Sequence, residues 1–483
     1  MTDWLYVASS LFNTKDYILI GEKTLSFLDI DERAVSLSQS LHNEYGLKRG
    51  DIVAIISENN IEFILLIFAL WKSGALPVPL NIRLNESETD TLIKFLNPTF
   101  IYIDQGFNKQ INYPAEKIIY VKEDYLTSER ISIIPDIKGK DTALILFTSG
   151  TSGSPKGVEL TFNNLKASFD NSNTILQESM NDKWIASLPF YHIGGFSIII
   201  RALLSGASLI IPQKLDVSSI ADSIVRMKPT LLSLVSTQLR RLIELGIKPN
   251  AGLRHVLLGG GYIDSVLLDQ AINDGWPIIK VYGSTETSSL VTYVDCNNDV
   301  DNNSSVGIPL ANNQIFIVNE RKELLPPKAK GEIAVRSDSC AKGYYKNSDA
   351  TKVKFKHGLY YTGDTGFIDE KGYLYIDSRS NDLIISGGEN INPLEVEAVL
   401  LNYPGVQNVS VFGVEDKEWG HIVSAAIILK PGINTSENEL RDYLVEKIST
   451  FKIPRIYYFM DEFPISPLGK VQKEKLKEII KNY

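Results

Sequence analysis

Residues 146–158 read LFTSGTSGSPKGV, with three glycines, five Ser/Thr hydroxyls and one lysine in thirteen positions. They follow the apolar run 143–147, so a short buried strand empties into a loop with little side-chain bulk. Such a loop offers backbone N–H groups, hydroxyls and one ammonium to an anion, and a polyphosphate suits it best. The G-x-x-x-x-G-K-[ST] order of a Walker loop is absent. A plain Gly/Ser connector is the alternative, but a connector needs neither Lys156 nor the strand before it.

The elements that would position this loop alternate along the chain. Residues 51–80 read as strand (52–56), helix (61–72) and strand (75–79), a crossover unit of a parallel sheet. Asn59-Asn60 is a natural helix cap and Gly74 a natural stop. Short apolar runs recur at 184–188, 208–211, 231–235, 254–258 and 278–282, several separated by helix-length segments such as 217–227 and 265–274. Glycines follow several of them: Gly194-Gly195, Gly259-Gly260-Gly261 and Gly283. Ligands of open α/β sheets sit beyond the carboxyl ends of the strands, so these loops suggest one composite site. After about residue 300, segments 314–319, 331–336 and 373–376 suggest a smaller β-rich unit. From residue 394 the order is helix (394–401), strands (409–414, 423–429), helix (437–447) and strand (456–460), enough for a separate α+β domain. The polar stretch 377–382, DSRSND, is the expected junction.

Bulk properties narrow the function classes. At 483 residues the chain exceeds one ordinary core, and 44% hydrophobic with 22% charged residues describes a soluble globular protein. The net charge of −9 disfavours a nucleic-acid partner. Cys296 and Cys340 make neither a disulfide framework nor a metal-ligand pattern, and a reducing, cytoplasmic compartment fits. The N-terminus lacks the basic region of a signal peptide. The longest apolar run, 63–71, falls short of the ~20 residues a bilayer requires. A homo-oligomer is compatible with this composition.

Six motifs in order, LFTSGTSGSPKGV, LPFYHIGG, YGSTET, YYTGD, SRSNDLIISGGENINP and PISPLGK, run along nearly the whole chain. Together they resemble the adenylate-forming superfamily of acyl-CoA synthetases. The resemblance implies an α/β fold. Its large N-terminal domain (1–378) would hold layered α/β sheets and the small β-rich unit, and a smaller, mobile α+β C-terminal domain (379–483) would follow. It also implies a two-step reaction. A carboxylic acid is adenylated by ATP with Mg²⁺, releasing pyrophosphate, and the acyl group then passes to the thiol of coenzyme A. No protein nucleophile is needed.

By this resemblance, Thr148, Ser149, Gly150, Thr151 and Lys156 hold the β- and γ-phosphates. Glu286 would hold Mg²⁺, which favours one or two protein carboxylates plus phosphate and water. Tyr282 and Thr285 would line the adenine and the AMP phosphate, with Gly259 and Gly260 also on the nucleotide. Asp364 would accept the ribose hydroxyls, with Arg379 beside it. Lys470 is the expected adenylation residue, its ammonium bridging the attacking carboxylate and the α-phosphate. Without the PISPLG lead-in it would read as one more lysine of a basic tail. Gly387 and Gly388 would line the pantetheine tunnel, where glycine permits close approach. Asn381 stands at the hinge position, where the family commonly carries Asp or Lys. His192 would lie between the acyl pocket and the CoA tunnel.

The acid is the remaining question. No carboxylate stands near Ile193-Gly194-Gly195-Phe196-Ser197 to hold a substrate ammonium, which disfavours an amino acid. Arg201 interrupts the apolar run FSIIIRALL and would suit a second substrate carboxylate. The alternative is an arginine that snorkels or pairs with an acid. LPFYHIGGFSIIIRALLSG most resembles the o-succinylbenzoate–CoA ligase branch, which serves menaquinone biosynthesis. In that reading Arg201 holds the aromatic carboxylate, directly or through water, with hydroxyls such as Ser233, and the succinyl carboxylate is activated. That branch often shows Ser-x-Val-Pro-Thr where this chain has Ser236 in place of the proline. A benzoate or medium-chain fatty acid, and a non-catalytic nucleotide-binding protein on the same fold, are the alternatives.

Overall fold

A computed structural model describes residues 3–84, 86–106, 111, 113–121, 137–148, 156–260, 263, 265–379, 384–386, 389–391, 393–416, 420–448, 450–466 and 471–481. Ser149, Gly150, Thr151, Asn381, Gly387, Gly388 and Lys470 lie outside these residues, and Arg379 is described only in its backbone.

Among the described residues the largest sheet has nine strands. Its centre is parallel: Ile278–Ser284, His255–Leu258, Leu231–Leu234, Lys183–Ile185, Ser208–Ile210 and Asp16–Ile20 lie side by side in that order. Antiparallel strands Ser289–Asp295 and Lys23–Ser26 flank it, and Ile308–Pro309 follows Ser289–Asp295. Successive side chains of a strand face opposite sides. Trp184, Leu209, Leu231, Leu257 and Ile279 therefore enter one core with helices Phe162–Leu176 and Ile193–Ser205, while Ile185, Ile210, Leu232, Val256 and Ile278 enter another.

The crossover unit at 51–80 forms as expected. Ile52–Ile56 pairs in parallel with Leu76–Pro79, joined by helix Ile61–Ser73. The Asn60 side chain caps that helix by accepting from the Phe63 N–H at 2.8 Å, and Gly74 ends it at φ 69°. Nearly every residue between is buried, which explains an apolar helix without a polar face.

The strand before the glycine-rich loop forms, and the loop joins the antiparallel pair Thr142–Thr148 and Lys156–Thr161. One expectation needs correction. The junction stretch begins inside a sheet: Leu374–Arg379 is a strand whose Ser378 and Arg379 pair with Thr365 and Asp364. That strand completes a five-stranded antiparallel sheet with Gln314–Val318, Gly331–Arg336, Phe355–Lys356 and Leu359–Ile368, the β-rich unit foreseen after residue 300.

From residue 384 onward a further sheet combines Glu389–Ile391, Ile384–Ser386, Gly420–Leu429, Val406–Asp416 and Ile456–Phe459 with helices Pro393–Leu401, Glu437–Val445 and Lys473–Lys481. Its two apolar clusters are built only from residues 384 and beyond, so this part has its own core. No helix among the described residues is long and apolar enough to cross a membrane.

Candidate active site

Three sheets contribute side chains to one neighbourhood. In the hairpin Thr142–Thr148/Lys156–Thr161, Thr148 and Lys156 are register partners at the two ends of the loop. Strand Gly343–Tyr344 adds to the same sheet, pairing with Glu159 and Val158. The Tyr344 hydroxyl then donates to Glu286 Oε1 at 2.9 Å, tying the hairpin to the large sheet.

Glu286 projects from a short 3₁₀ turn, Thr285–Thr287, between strands Ile278–Ser284 and Ser289–Asp295. Gly283 makes this turn feasible. A Cβ there would stand 1.7 Å from the Ser289 carbonyl oxygen, at a point where the ladder slips register. A bulge without a side chain re-aims the residues after it, here Thr285 and Glu286. Glu286 Oε2 makes no hydrogen bond among the described residues, which suits a hard cation that completes its shell with phosphate and water.

On the β-rich unit, the Tyr282 hydroxyl donates to Asp364 Oδ2 at 2.8 Å. The Gly363 N–H donates to Glu332 Oε1 at 3.1 Å, and the Lys354 ammonium lies 3.9 Å from the same oxygen. Burial lowers the Lys354 ammonium below the usual lysine range. Glu332, Glu286 and Asp364 pull it back up, and Lys156 pushes it down. Four charged side chains from three sheets therefore act on the Lys354 ammonium. Tyr360, buried behind them, is held neutral by burial and by the charge of Glu286.

A second group of the residues singled out in the sequence lies around helix Ile193–Ser205. Asn59 accepts from the Phe190 N–H and donates to the Leu188 carbonyl oxygen, both at 2.8 Å, fixing the turn before His192. His192 begins helix Ile193–Ser205 without capping it. Burial, with Arg83 second, pushes its imidazole down to about 4, so it is neutral at physiological pH. Its Nε2 is buried and unpartnered among the described residues. Ser233 lies on the strand between Lys183–Ile185 and His255–Leu258, beside Leu257, on the face that carries Trp184 and Leu231. Gly259 and Gly260 end the next strand, Gly260 at φ 84° and Gly259 with Val281 where a Cβ would be.

Arg201 is 2% exposed on helix Ile193–Ser205 and does not snorkel. Its Nε donates to Ser172 Oγ at 3.4 Å and one terminal nitrogen to Ser197 Oγ at 3.1 Å. The other terminal nitrogen has no partner among the described residues. The guanidinium sits 5.8 Å from the Trp184 ring. Nothing in the residue types marks Tyr344, Lys354, Trp184 or Glu178 as members of this environment. The paired tyrosines in GYYKN and LYYTGD are the one faint signal for Tyr344 and Tyr360.

Comparison with known proteins identifies the family. Residues 10–345 match the AMP-binding enzyme family, and residues 395–470 match the AMP-binding enzyme C-terminal domain. The 2-succinylbenzoate–CoA ligase of Bacillus cereus strain AH820 is 34% identical, over 99% of this chain and 98% of the relative. The o-succinylbenzoate CoA synthetase MenE of Bacillus subtilis, solved with the acyl-adenylate intermediate OSB-AMP, superposes with a TM-score of 0.91 at 31% identity, over 99% of this chain and 98% of that one. ATP-bound MatB of Rhodopseudomonas palustris gives a TM-score of 0.89 at 27% identity, over 100% and 99% of the two chains. With both family regions matched in order, and relatives alike over their whole length, the chain belongs to the AMP-binding enzyme family.

Proposed function

We propose that this protein is an ATP-dependent, AMP-forming ligase that converts 2-succinylbenzoate to 2-succinylbenzoyl-CoA for menaquinone synthesis in the cytoplasm. The observation that supports the chemistry is the linkage of three sheets near Lys156, Glu286 and Asp364: Tyr344, on a strand paired with the Lys156 strand, bonds Glu286 at 2.9 Å, and Tyr282 bonds Asp364 at 2.8 Å. The succinyl carboxylate attacks the α-phosphorus of ATP, the α–β phosphoanhydride bond breaks, and pyrophosphate leaves. The CoA thiol, losing its proton, then attacks the acyl carbonyl and expels AMP.

Each residue has a physical task. Thr148, Ser149, Gly150, Thr151 and Lys156 neutralise the departing pyrophosphate. Glu286, oriented by Tyr344, would hold Mg²⁺, which when bound would offset phosphate charge. Asp364, oriented by Tyr282, and Arg379 grip the ribose, while Thr285, Gly259 and Gly260 line the nucleotide. Neutral His192 separates the acyl pocket from the CoA path lined by Gly387 and Gly388. Residues 379–483 move as a unit to deliver Lys470 for adenylation, a role supported by the separate core of that region.

Arg201 with Ser233 supports the choice of acid. A buried cation whose hydrogen bonds go only to serines leaves one arm for an anion, and the distal aromatic carboxylate supplies it. The test is ATP–pyrophosphate exchange with a panel of acids. We expect strong selection for the dicarboxylate, and Arg201→Ala should raise its KM more than that of benzoate. Equal turnover of plain benzoate overturns the assignment.

A further inference from the structure

Behind Arg201 lies a buried acid that the reaction above does not use. Glu178 follows helix Phe162–Leu176 and is 8% exposed. Its Oε2 accepts from the Trp184 indole N–H at 2.9 Å, and its Oε1 is buried without a partner among the described residues. The same indole presents its ring to the Arg201 guanidinium. The compartment thus holds a cation with one unused donor arm and a carboxyl with one unused oxygen, linked through a tryptophan.

From this geometry we propose that Glu178 is a positioning residue for the substrate's distal carboxylate. Through Trp184 it holds Arg201 in place in the free protein, and it takes up one proton from solvent when that carboxylate arrives. The proposal rests on the dicarboxylate reading above. One buried guanidinium balances one negative charge. A second carboxylate entering the same compartment leaves two negative charges on one cation, and two close carboxylates cannot both stay ionised at neutral pH. The substrate carboxylate takes the unused arm of Arg201, and Glu178 becomes neutral.

Of the other charges around Glu178, Arg254 favours its ionised form and Asp182 opposes it. Burial pushes its carboxyl up to about 7, against the pull of Arg201 from helix Ile193–Ser205. Asp182, ahead of strand Lys183–Ile185, repels it further. Arg254, ahead of strand His255–Leu258, is already committed, donating through Nε and a terminal nitrogen to Asp182 at 3.1 and 2.9 Å. Burial tends to raise the Asp182 carboxyl too, but bonds from Thr230 and Arg254 outweigh this and hold it low, so Asp182 stays ionised.

Binding of 2-succinylbenzoate is therefore linked to uptake of up to one proton, the more so as pH rises above 7. The experiment compares KM for 2-succinylbenzoate with that for 4-oxo-4-phenylbutanoate, which lacks the ring carboxylate, from pH 6.5 to 8.5. Carboxyls free in solution do not titrate in this range. For the dicarboxylate, KM should rise above pH 7 by up to about tenfold per pH unit. For the monocarboxylate it should stay flat. Glu178→Gln, which still accepts from Trp184, should flatten the dicarboxylate profile. Titration calorimetry of the unmodified protein with 2-succinylbenzoate in buffers of different ionisation enthalpy should report uptake of up to one proton, and this readout needs no variant. A flat dicarboxylate profile without proton uptake, or a slope unchanged in Glu178→Gln, overturns the role of Glu178 while selection for the dicarboxylate stands. Equal use of both acids overturns the substrate reading itself, and this inference with it.

Discussion

Tyr282→Phe isolates one contact in the nucleotide site. The substitution keeps the ring, and so any stacking on adenine, but removes the hydroxyl that donates to Asp364 Oδ2 at 2.8 Å. A hydrogen bond to a charged acceptor contributes about 1.5–3 kcal/mol. Both residues are half-buried, so water can replace part of the bond and the low end applies. A loss of about 1.5 kcal/mol corresponds to roughly tenfold in kcat/KM for ATP. The term for the acid should change by less than about twofold, because the pair is proposed to hold the ribose and not the acid. Steady-state kinetics of Tyr282→Phe, Asp364→Asn and the double variant form a cycle. The double variant should be little worse than Asp364→Asn alone, since the tyrosine works by orienting that carboxylate. Additive losses, or an equal loss in the acid term, would refute this account of how the ribose is held.

Lys470→Ala should abolish adenylation in pyrophosphate exchange yet spare thioester formation from preformed acyl-adenylate, and loss of both half-reactions would contradict the division of labour. Lys72 is buried between Asp3 at 2.6 Å and Asp31 at 2.7 Å, so Lys72→Met should cost about 3–5 kcal/mol in denaturant unfolding by leaving two buried acids without a cation. The His192 imidazole is held near 4 in the folded state, below its ordinary 6.5. The unfolded chain therefore binds the proton first, and His192 destabilises the fold as pH falls from 6.5 toward 4; NMR should show a neutral ring down to about pH 5. Gly283→Ala should lose activity before it loses solubility, because its Cβ would displace the Ser289 carbonyl and with it the Glu286 turn.

Local signals made part of this fold legible. Asn60 and Gly74 announce the helix they bound, and the β-branched run at 52–56 and the short apolar run at 254–258 announce strands, because capping and periodicity are short-range physics. The chain reversal after Thr148 was not legible, since antiparallel and parallel strands share one composition. Residues 377–379 look like a linker because their side chains are polar, yet their backbone completes a sheet with partners near residue 365. In the site, Lys156, Glu286 and Asp364 stand in dense motifs. Glu178, in LQESMND, looks like a surface acid, and Lys354 looks like the end of a solvent helix. Burial by Trp184 and Arg201 in one case, and placement beside Glu332 in the other, arise only from tertiary contact.

The strand Asp16–Ile20 emerges early in synthesis but pairs in parallel with Ser208–Ile210, Ile18 beside Leu209. At about 5–20 residues per second a ribosome needs roughly 10–40 s to produce that partner. Throughout that interval the nascent chain carries an apolar ribbon with an unmatched edge, a natural substrate for holding chaperones. Chains truncated before residue 209 should therefore aggregate through their first hairpin, whereas those released later can seal it.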